Sequence, residues 1–291
     1  MTQNSFGVPT SNPALPDLTG RTVVVTGASS GIGAAAVRSF ASAGAAVVPI
    51  GRSREKVDAI GRELGVTALV ADFADLAQVR VLADRILELC PHIDVMAHNA
   101  GGLFPRRIST VDGHELTFQV NHLAPFLLQH LLEDRIIATP DSRVIITSSA
   151  ASRYGDVVLD DLDSTRRRYR SFKTYATTKL ENILFMRELS RRLSGSGTSA
   201  TAFHPGVVAT AFARNSPFVG VAYRVPLSRA FLISAEEGAA PLLHLATWPD
   251  PAYADGHYFD RLRIDGATAA QAADEDLARN LWIQSTRLVT P

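Results

Sequence analysis

The 291-residue sequence predicts an α/β protein built on one doubly wound parallel sheet with helices on both faces. Two observations predict it. From Arg21 onward, short β-branched runs alternate with apolar residues at helical spacing, and such a βαβα rhythm requires crossovers that lay helices over a parallel sheet. The first run also leads into a glycine-rich turn, TGASSGIG at 26–33, which opens a helical pattern.

The elements follow in order. Thr22 to Val25 is the first β-branched run, and Ile32, Ala35, Ala36 and Phe40 recur at helical spacing after the turn. Ala46 to Ile50 reads as a second strand, Arg54 to Leu64 as a polar helix and Ala68 to Ala71 as a third strand. Val79, Leu82, Ala83, Ile86 and Leu87 mark one face of the next helix. Asp94 to Ala97 and Val144 to Thr147 supply two further strands, with an apolar helix over Leu116 to Leu132 between them. A helix over Thr174 to Leu193 precedes a sixth strand, Thr198 to Phe203. Residues 1–20 read as a mobile polar arm and 21–291 as one domain. Two excursions leave the rhythm: a polar insertion at 153–173, and a segment at 206–233, bearing prolines and aromatics, that reads as a substrate lid. Within the insertion, DDLD at 160–163 and RRRYR at 166–170 read as a solvated face of balanced charge.

Composition excludes several classes of function. With 46% hydrophobic residues and 29 basic against 29 acidic side chains, the chain can bury a large core and has no general attraction to nucleic acid. A single cysteine, Cys90, excludes an intramolecular disulfide framework and a cysteine-rich zinc site. The eight histidines show no HExxH or similar pair, so no catalytic metal is expected. No basic and apolar leader is seen, and no apolar run reaches the roughly 18 residues of a membrane span, so a soluble, cytoplasmic protein is expected.

Three motifs carry chemistry. Gly27, Gly31 and Gly33 let the backbone turn tightly and approach a pyrophosphate, whose charge free N–H groups at a helix start would stabilise. Three residues separate the first two glycines, unlike GxGxxG, so alone they could equally be turn and packing devices. At the end of the second strand, where an acid would bond ribose hydroxyls and repel a 2′-phosphate, the chain has Gly51 and Arg52. That pair favours NADP(H), although Arg52 could also be an ordinary exposed turn residue, with Arg54 close by. Tyr175 and Lys179 stand four apart in YATTK, on one face of a helix, where an ammonium can stabilise a phenolate. Surface pairs share that spacing.

In order along the chain, TGASSGIG, Asp72, HNAG at 98–101, Asn121, TSS at 147–149, YATTK and HPGVVAT at 204–210 together resemble the short-chain dehydrogenase/reductase family. The resemblance implies a Rossmann-type sheet and a set of roles. Tyr175 would be the general acid/base, and Lys179 would bond the nicotinamide ribose and lower the tyrosine pKa. Ser149, rather than Ser148, would polarise the substrate carbonyl, and Asn121 would complete a proton relay through a water. Gly27, Ser29, Ser30, Gly31, Ile32, Gly33, Arg52, Asp72, Phe73, Asn99, Ala100, Gly101, Pro205, Gly206, Val208 and Thr210 would line the cofactor with Tyr175 and Lys179. Of these, Asp72 would bond the adenine, Asn99 would steady the central strands and Thr210 would meet the carboxamide. His98 stands where the family commonly has asparagine and reads as structural, and His204 reads as part of the HPG turn.

KLENILFMRELSRRL at 179–193, FHPGVVATAF at 203–212, SAEEGAAPLLHLA at 234–246, GHYFD at 256–260, LWIQSTRLV at 281–289 and the stretched gap between Ser149 and Tyr175 refine the resemblance. They are similar to the retinol dehydrogenase and WW-domain oxidoreductase branch. The resemblance implies a homo-oligomer joined through the helices near 116–132 and 174–193. The expected reaction is hydride transfer between NADP(H) and a small-molecule carbonyl or alcohol, with Phe104, Phe212, Phe218 and Tyr223 suiting an apolar substrate. Two alternatives stand beside it: an NAD-dependent alcohol dehydrogenase, and a non-catalytic protein that senses NADP(H).

Overall fold

The computed structural model describes residues 15–207 and 233–290. Their elements run β1 (Thr22–Thr26), α1 (Gly31–Ser42), β2 (Ala46–Gly51), α2 (Arg54–Leu64), β3 (Leu69–Val70), α3 (Leu76–Leu89) and β4 (Val95–His98). They continue with α4 (Leu116–Phe118), a π turn (Gln119–Leu123), α5 (Ala124–Ile137), β5 (Arg143–Thr147), α6 (Ser171–Arg192) and β6 (Ser199–His204). The chain closes with α7 (Ala235–Ala246), α8 (Pro251–Ala254), β7 (Tyr258–Asp260), β8 (Arg263–Ile264) and α9 (Glu275–Val289).

All eight strands join one sheet in the order β3-β2-β1-β4-β5-β6-β7-β8, parallel except for the β7–β8 pair. β1, TVVVT, is buried along its whole length, as a strand covered on both faces must be. Val24, Met96, Val144 and Ile146 face a core shared with α3, α5, α6 and α9. Val23, Val25, Val95 and Ala97 point the other way, onto α1 and α7. The alternation is the period-2 geometry of a strand feeding two cores. Between β1 and β4 the strand order reverses direction, which opens a crevice at the carboxyl ends of the strands.

Several helix starts are locally encoded. Asp75 accepts from the Ala77 and Gln78 amides, and Ser234 and Glu237 form a reciprocal capping box. At the start of α1, by contrast, Ser30 makes no side-chain cap, leaving the first amides of that helix to another acceptor.

Two expectations are corrected by the packing. Residues 15–20, assigned to a mobile arm, are held down: Leu15 and Leu18 pack on the α1 core, and the Leu18 amide donates to the Ala43 carbonyl at 2.7 Å. The helix expected over Leu116 to Leu132 is interrupted by the π turn, because one extra residue is accommodated there without breaking the apolar spacing. The insertion is ordered around Asp161, which is buried and accepts from the Thr165 and Arg166 amides and from Arg167 Nε, while Arg166, Arg168 and Arg170 of the basic cluster are exposed beside these acidic neighbours, as expected. The long helix α6 is enclosed by its own chain over much of its length. Every residue from Thr174 to Met186 is buried within this chain, and α9 packs on α6 through Trp282 against Phe185 and on the π turn through Ser285 against His122.

Burial also sets an acid limit. Desolvation lowers His98 and His204 to about 4 and His122 to about 3, each below the ordinary value of 6.5. Folding therefore favours the neutral rings, and their contribution is complete above pH 6.5 and lost as the pH falls toward 4. Thermal unfolding is expected at markedly lower temperature at pH 5 than at pH 7, each histidine costing roughly 1–2 kcal/mol. His98→Asn is expected to flatten that pH slope; an unchanged slope in calorimetry refutes the assignment.

Candidate active site

The carboxyl ends of β1 to β6 converge on the crevice, and several candidate residues sit there because they lie within three positions of a strand's end. Gly27 follows β1, Arg52 follows β2, Asp72 and Phe73 follow β3, Asn99 follows β4, Ser149 follows β5, and Pro205 and Gly206 follow β6. Val208 and Thr210, most of the expected lid at 206–233 and the aromatics Phe212, Phe218 and Tyr223 lie outside the described residues.

The glycine turn is a cradle fitted to its neighbours. Gly27 has φ +71°, and a Cβ there would stand 2.9 Å from the Ala100 Cα. A Cβ on Gly33 would overlap the Gly27 carbonyl and lie 2.8 Å from Asn99 Nδ2. Gly31 also needs positive φ, at 55°. Gly51 lets β2 meet the turn: a Cβ on it would fall 2.9 Å from Ser29 Cβ. Serine and arginine are thereby neighbours, with Ser29 beside the Gly51–Arg52 step. The Arg52 side chain is exposed and makes no ion pair among the described residues. Asp72 is turned back on its own loop, its Oδ1 accepting from the Ala74 amide at 3.0 Å, while Phe73 is buried in the core.

Bare helix amides, glycines with no room for side chains and an exposed arginine beside them fit a dinucleotide phosphate chain. Ser29, Ser30, Gly31, Ile32 and Gly33 surround the helix start, and Asn99, Ala100 and Gly101 form the adjoining wall.

That wall is tied down by a residue the motif reading passed over. Thr26 Oγ1 accepts from the Asn99 and Ala100 amides, both at 3.0 Å, and Asn99 Nδ2 donates to the Thr26 carbonyl at 3.0 Å. Thr147 Oγ1 reaches Asn99 Oδ1 at 3.4 Å, so Asn99 spans β1, β4 and β5. Thr26 heads the glycine motif, and a β-branched hydroxyl at a strand end was the available signal.

On the other side of the wall lie Asn121, Ser149, Tyr175 and Lys179. Lys179 Nζ donates to the Thr147 carbonyl at 2.9 Å and stands 5.7 Å from the Tyr175 ring centre. Asn121 grips Gly102 at both ends, accepting from its amide at 2.7 Å and donating to its carbonyl at 2.9 Å. A Cβ on Gly101 would be 3.1 Å from Asn121 Oδ1 and 3.3 Å from Lys179 Nζ, so both side chains flank that glycine. Thr178, inside YATTK, supports them by accepting from Asn121 Nδ2 and donating to the Tyr175 carbonyl. Ser149 caps the turn that follows β5, its Oγ accepting from the Ala151 amide at 3.2 Å. Ser148 instead donates to the Lys179 carbonyl at 2.6 Å and is fully buried, which leaves Ser149 as the serine directed toward Tyr175.

Burial shapes the electrostatics. It pushes Tyr175 up to about 12, only partly offset by its hydrogen bond to Ser149, and it brings Lys179 down to about 8. In the protein alone burial is the larger effect on the tyrosine, and the Lys179 ammonium is directed at the Thr147 carbonyl. At pH 7 the arrangement holds a protonated phenol beside a charged lysine, a proton donor poised at a serine hydroxyl. His98, in β4, is held by Gln129 Oε1 at 3.1 Å, away from this group. Among the described residues no three His, Cys, Asp or Glu side chains gather as a metal site would need, and no helix is long and apolar enough to cross a membrane.

The short chain dehydrogenase family pattern matches residues 21–217. The chain is 41% identical over 290 residues to a Streptomyces sp. (strain C5) protein named "Putative daunorubicin C-13 ketoreductase DnrU", covering 97% of this chain and 98% of that protein. It is 37% identical over 288 residues to human retinol dehydrogenase 13, covering 95% and 87%. Among solved structures, a Mycobacterium paratuberculosis protein of uncharacterized function matches with a TM-score of 0.77 at 33% identity, over 94% of this chain and 95% of that one. A Burkholderia cenocepacia short chain dehydrogenase in complex with NADP matches with a TM-score of 0.65 at 25% identity, over 84% and 96%. With the sheet order, the crevice and these relatives in agreement, the chain belongs to the short-chain dehydrogenase/reductase family of oxidoreductases, in its retinol dehydrogenase-like branch.

Proposed function

We propose that residues 21–291 form one NADP(H)-dependent enzyme domain that works in the cytoplasm and interconverts an aldehyde or ketone and an alcohol on an apolar small molecule. The observation that carries the reading is the run of contacts from Ser149 to Tyr175, from Tyr175 to Lys179, and from Lys179 and Asn121 to Gly101, at the reversal of strand order. NADP(H), when bound, supplies or accepts the hydride.

The chain's own residues do the rest. Tyr175 gives its proton to the carbonyl oxygen in reduction and recovers it in oxidation, while the Ser149 hydroxyl holds that oxygen in line. Lys179 keeps positive charge beside the phenol, and Asn121 fixes the Gly101–Gly102 wall against which the reacting groups lie. Arg52, beside Ser29, would hold the 2′-phosphate, and the glycine turn with the first α1 amides would hold the pyrophosphate. The relatives' names support the same conversion from its two sides, one a ketoreductase and one a retinol dehydrogenase.

The test is a panel of aldehydes and ketones with NADPH, followed by its absorbance. Turnover is expected; binding of NADPH without oxidation across the panel indicates a cofactor sensor instead. In titrations, Arg52→Ala is expected to weaken NADPH binding about tenfold, the scale of one charge-assisted hydrogen bond, and to leave NADH within about twofold. Wild-type protein that binds NADH more tightly than NADPH overturns the cofactor assignment.

A further inference from the structure

The insertion before α6 reaches into the active-site wall at one point. Tyr169 Oη donates to the Phe104 carbonyl at 2.9 Å and meets Thr117 Oγ1 at 3.2 Å, and both Tyr169 and Phe104 are half-buried. The Phe104 ring lies on Gly102, where a Cβ would come within 3.0 Å of its Cε2 and Cζ atoms. Gly102 is the residue gripped by Asn121, and the neighbouring Gly101 opens to solvent between Asn121 and Lys179. The ring is thus one residue from the floor on which the proposed reaction takes place. The strand-to-helix stretch from Gly102 to Glu115 has little regular structure of its own, so something outside it must hold the ring there.

The insertion does so through Tyr169 and Asp163. Beyond Tyr169, Asp163 Oδ1 accepts from the Glu115 amide at 2.8 Å, and Arg107 Nε donates to the Asp163 carbonyl at 3.2 Å. Asp163 and Arg107 hold the far part of the loop. Tyr169 alone of these reaches Phe104, and Thr117, fully buried and bonded to Glu115 Oε1 at 3.0 Å, fixes where the tyrosine hydroxyl stands.

We propose that Tyr169 is a positioning residue for substrate size, locking Phe104 onto Gly102 so that the ring forms a preset apolar wall for the part of a bulky carbonyl substrate beyond its reacting carbon. The inference rests on the carbonyl-reductase reading above. It assigns the insertion a specificity function: a small substrate is handled by Ser149 and Tyr175 alone, whereas a bulky one also uses the ring. Loss of the tyrosine hydroxyl leaves the Phe104 carbonyl without that donor and frees the ring, so a bulky substrate must order it on binding.

The experiment uses the full-length chain, wild type against Tyr169→Phe and Phe104→Ala. Hydrogen exchange of the amides from Gly102 to Arg106 is expected to quicken roughly five- to tenfold in Tyr169→Phe, the scale of one lost hydrogen bond. KM for a polycyclic or long-chain ketone is expected to rise about fivefold, with kcat within about twofold, while KM for a short aldehyde and NADPH binding stay unchanged. Phe104→Ala should reproduce the same split without needing the hydroxyl. Equal changes for both substrates, or exchange and KM at wild-type values, overturn the proposal. Should wild-type protein bind NADPH and reduce no carbonyl, the functional reading fails, and faster exchange in Tyr169→Phe alone would still establish the anchor.

Discussion

Tyr175→Phe is expected to lower kcat for carbonyl reduction by about 10³-fold, within the range of a lost general acid, while NADPH binding stays within about threefold. The substitution removes one oxygen from a ring that is 9% exposed and otherwise packed, so the fold and the cofactor cradle should persist. The direction of the pH response follows from the same group. Because burial pushes Tyr175 up to about 12, its proton is present throughout the neutral range and reduction should remain fast there. Alcohol oxidation needs the phenolate and should accelerate as the pH rises, the ordinary direction for a base whose pKa lies above the working range. Steady-state rates in both directions between pH 6 and pH 10 would check this. Turnover in Tyr175→Phe within a few-fold of wild type would remove the tyrosine from the proton transfer and leave Ser149 as the nearest remaining hydroxyl.

The second large effect is expected at the glycine cradle. Gly33→Ala places a methyl group into the Gly27 carbonyl and against Asn99 Nδ2, both parts of the wall that Thr26 ties together. Neither neighbour is the free end of a flexible side chain, so the turn itself must shift. Overpacking of this kind costs about 1–3 kcal/mol, and the displaced turn no longer aims its amides. NADPH affinity is expected to fall at least about 30-fold, with a lowered melting temperature that added NADPH restores poorly. Calorimetry with and without cofactor separates the two parts, and NADPH binding within threefold of wild type would mean the turn is a packing device rather than a phosphate site. Gly65, whose αL conformation ends α2 with open space around it, offers the contrast: Gly65→Ala carries only backbone strain and should leave cofactor binding alone.

How much of this was legible in the sequence differs from residue to residue. Tyr175 and Lys179 are placed by helical spacing within one element, and spacing is local, so four positions apart sufficed. Gly27, Gly31 and Gly33 were legible because positive φ and close approach leave few alternatives to glycine. The burial that raises the tyrosine's pKa was not, since neighbouring charge can be read from the motif but desolvation depends on everything packed around the ring. The π turn that carries Asn121 was missed because an extra backbone residue leaves the apolar spacing on either side intact. Tyr169 stood out only as part of RRRYR, read as a solvated face. Its meaning depends on a contact with Phe104, 65 positions earlier, that no local pattern encodes.

The sequence by itself determined the succession of strands and helices, the glycine turn at the first crossover, and which side chains share a face of α6, because these are set by dihedral preference and by the 2.0 and 3.6 periodicities of the chain. The tertiary structure decided the strand order and with it the crevice between β1 and β4, the amide grip of Asn121 on Gly102, the direction of Lys179 toward Thr147, and the internal use of the α6 face. Parallel pairing joins residues separated by whole crossovers, and burial is a property of everything packed around a group. Both are settled only when the distant parts of the chain meet.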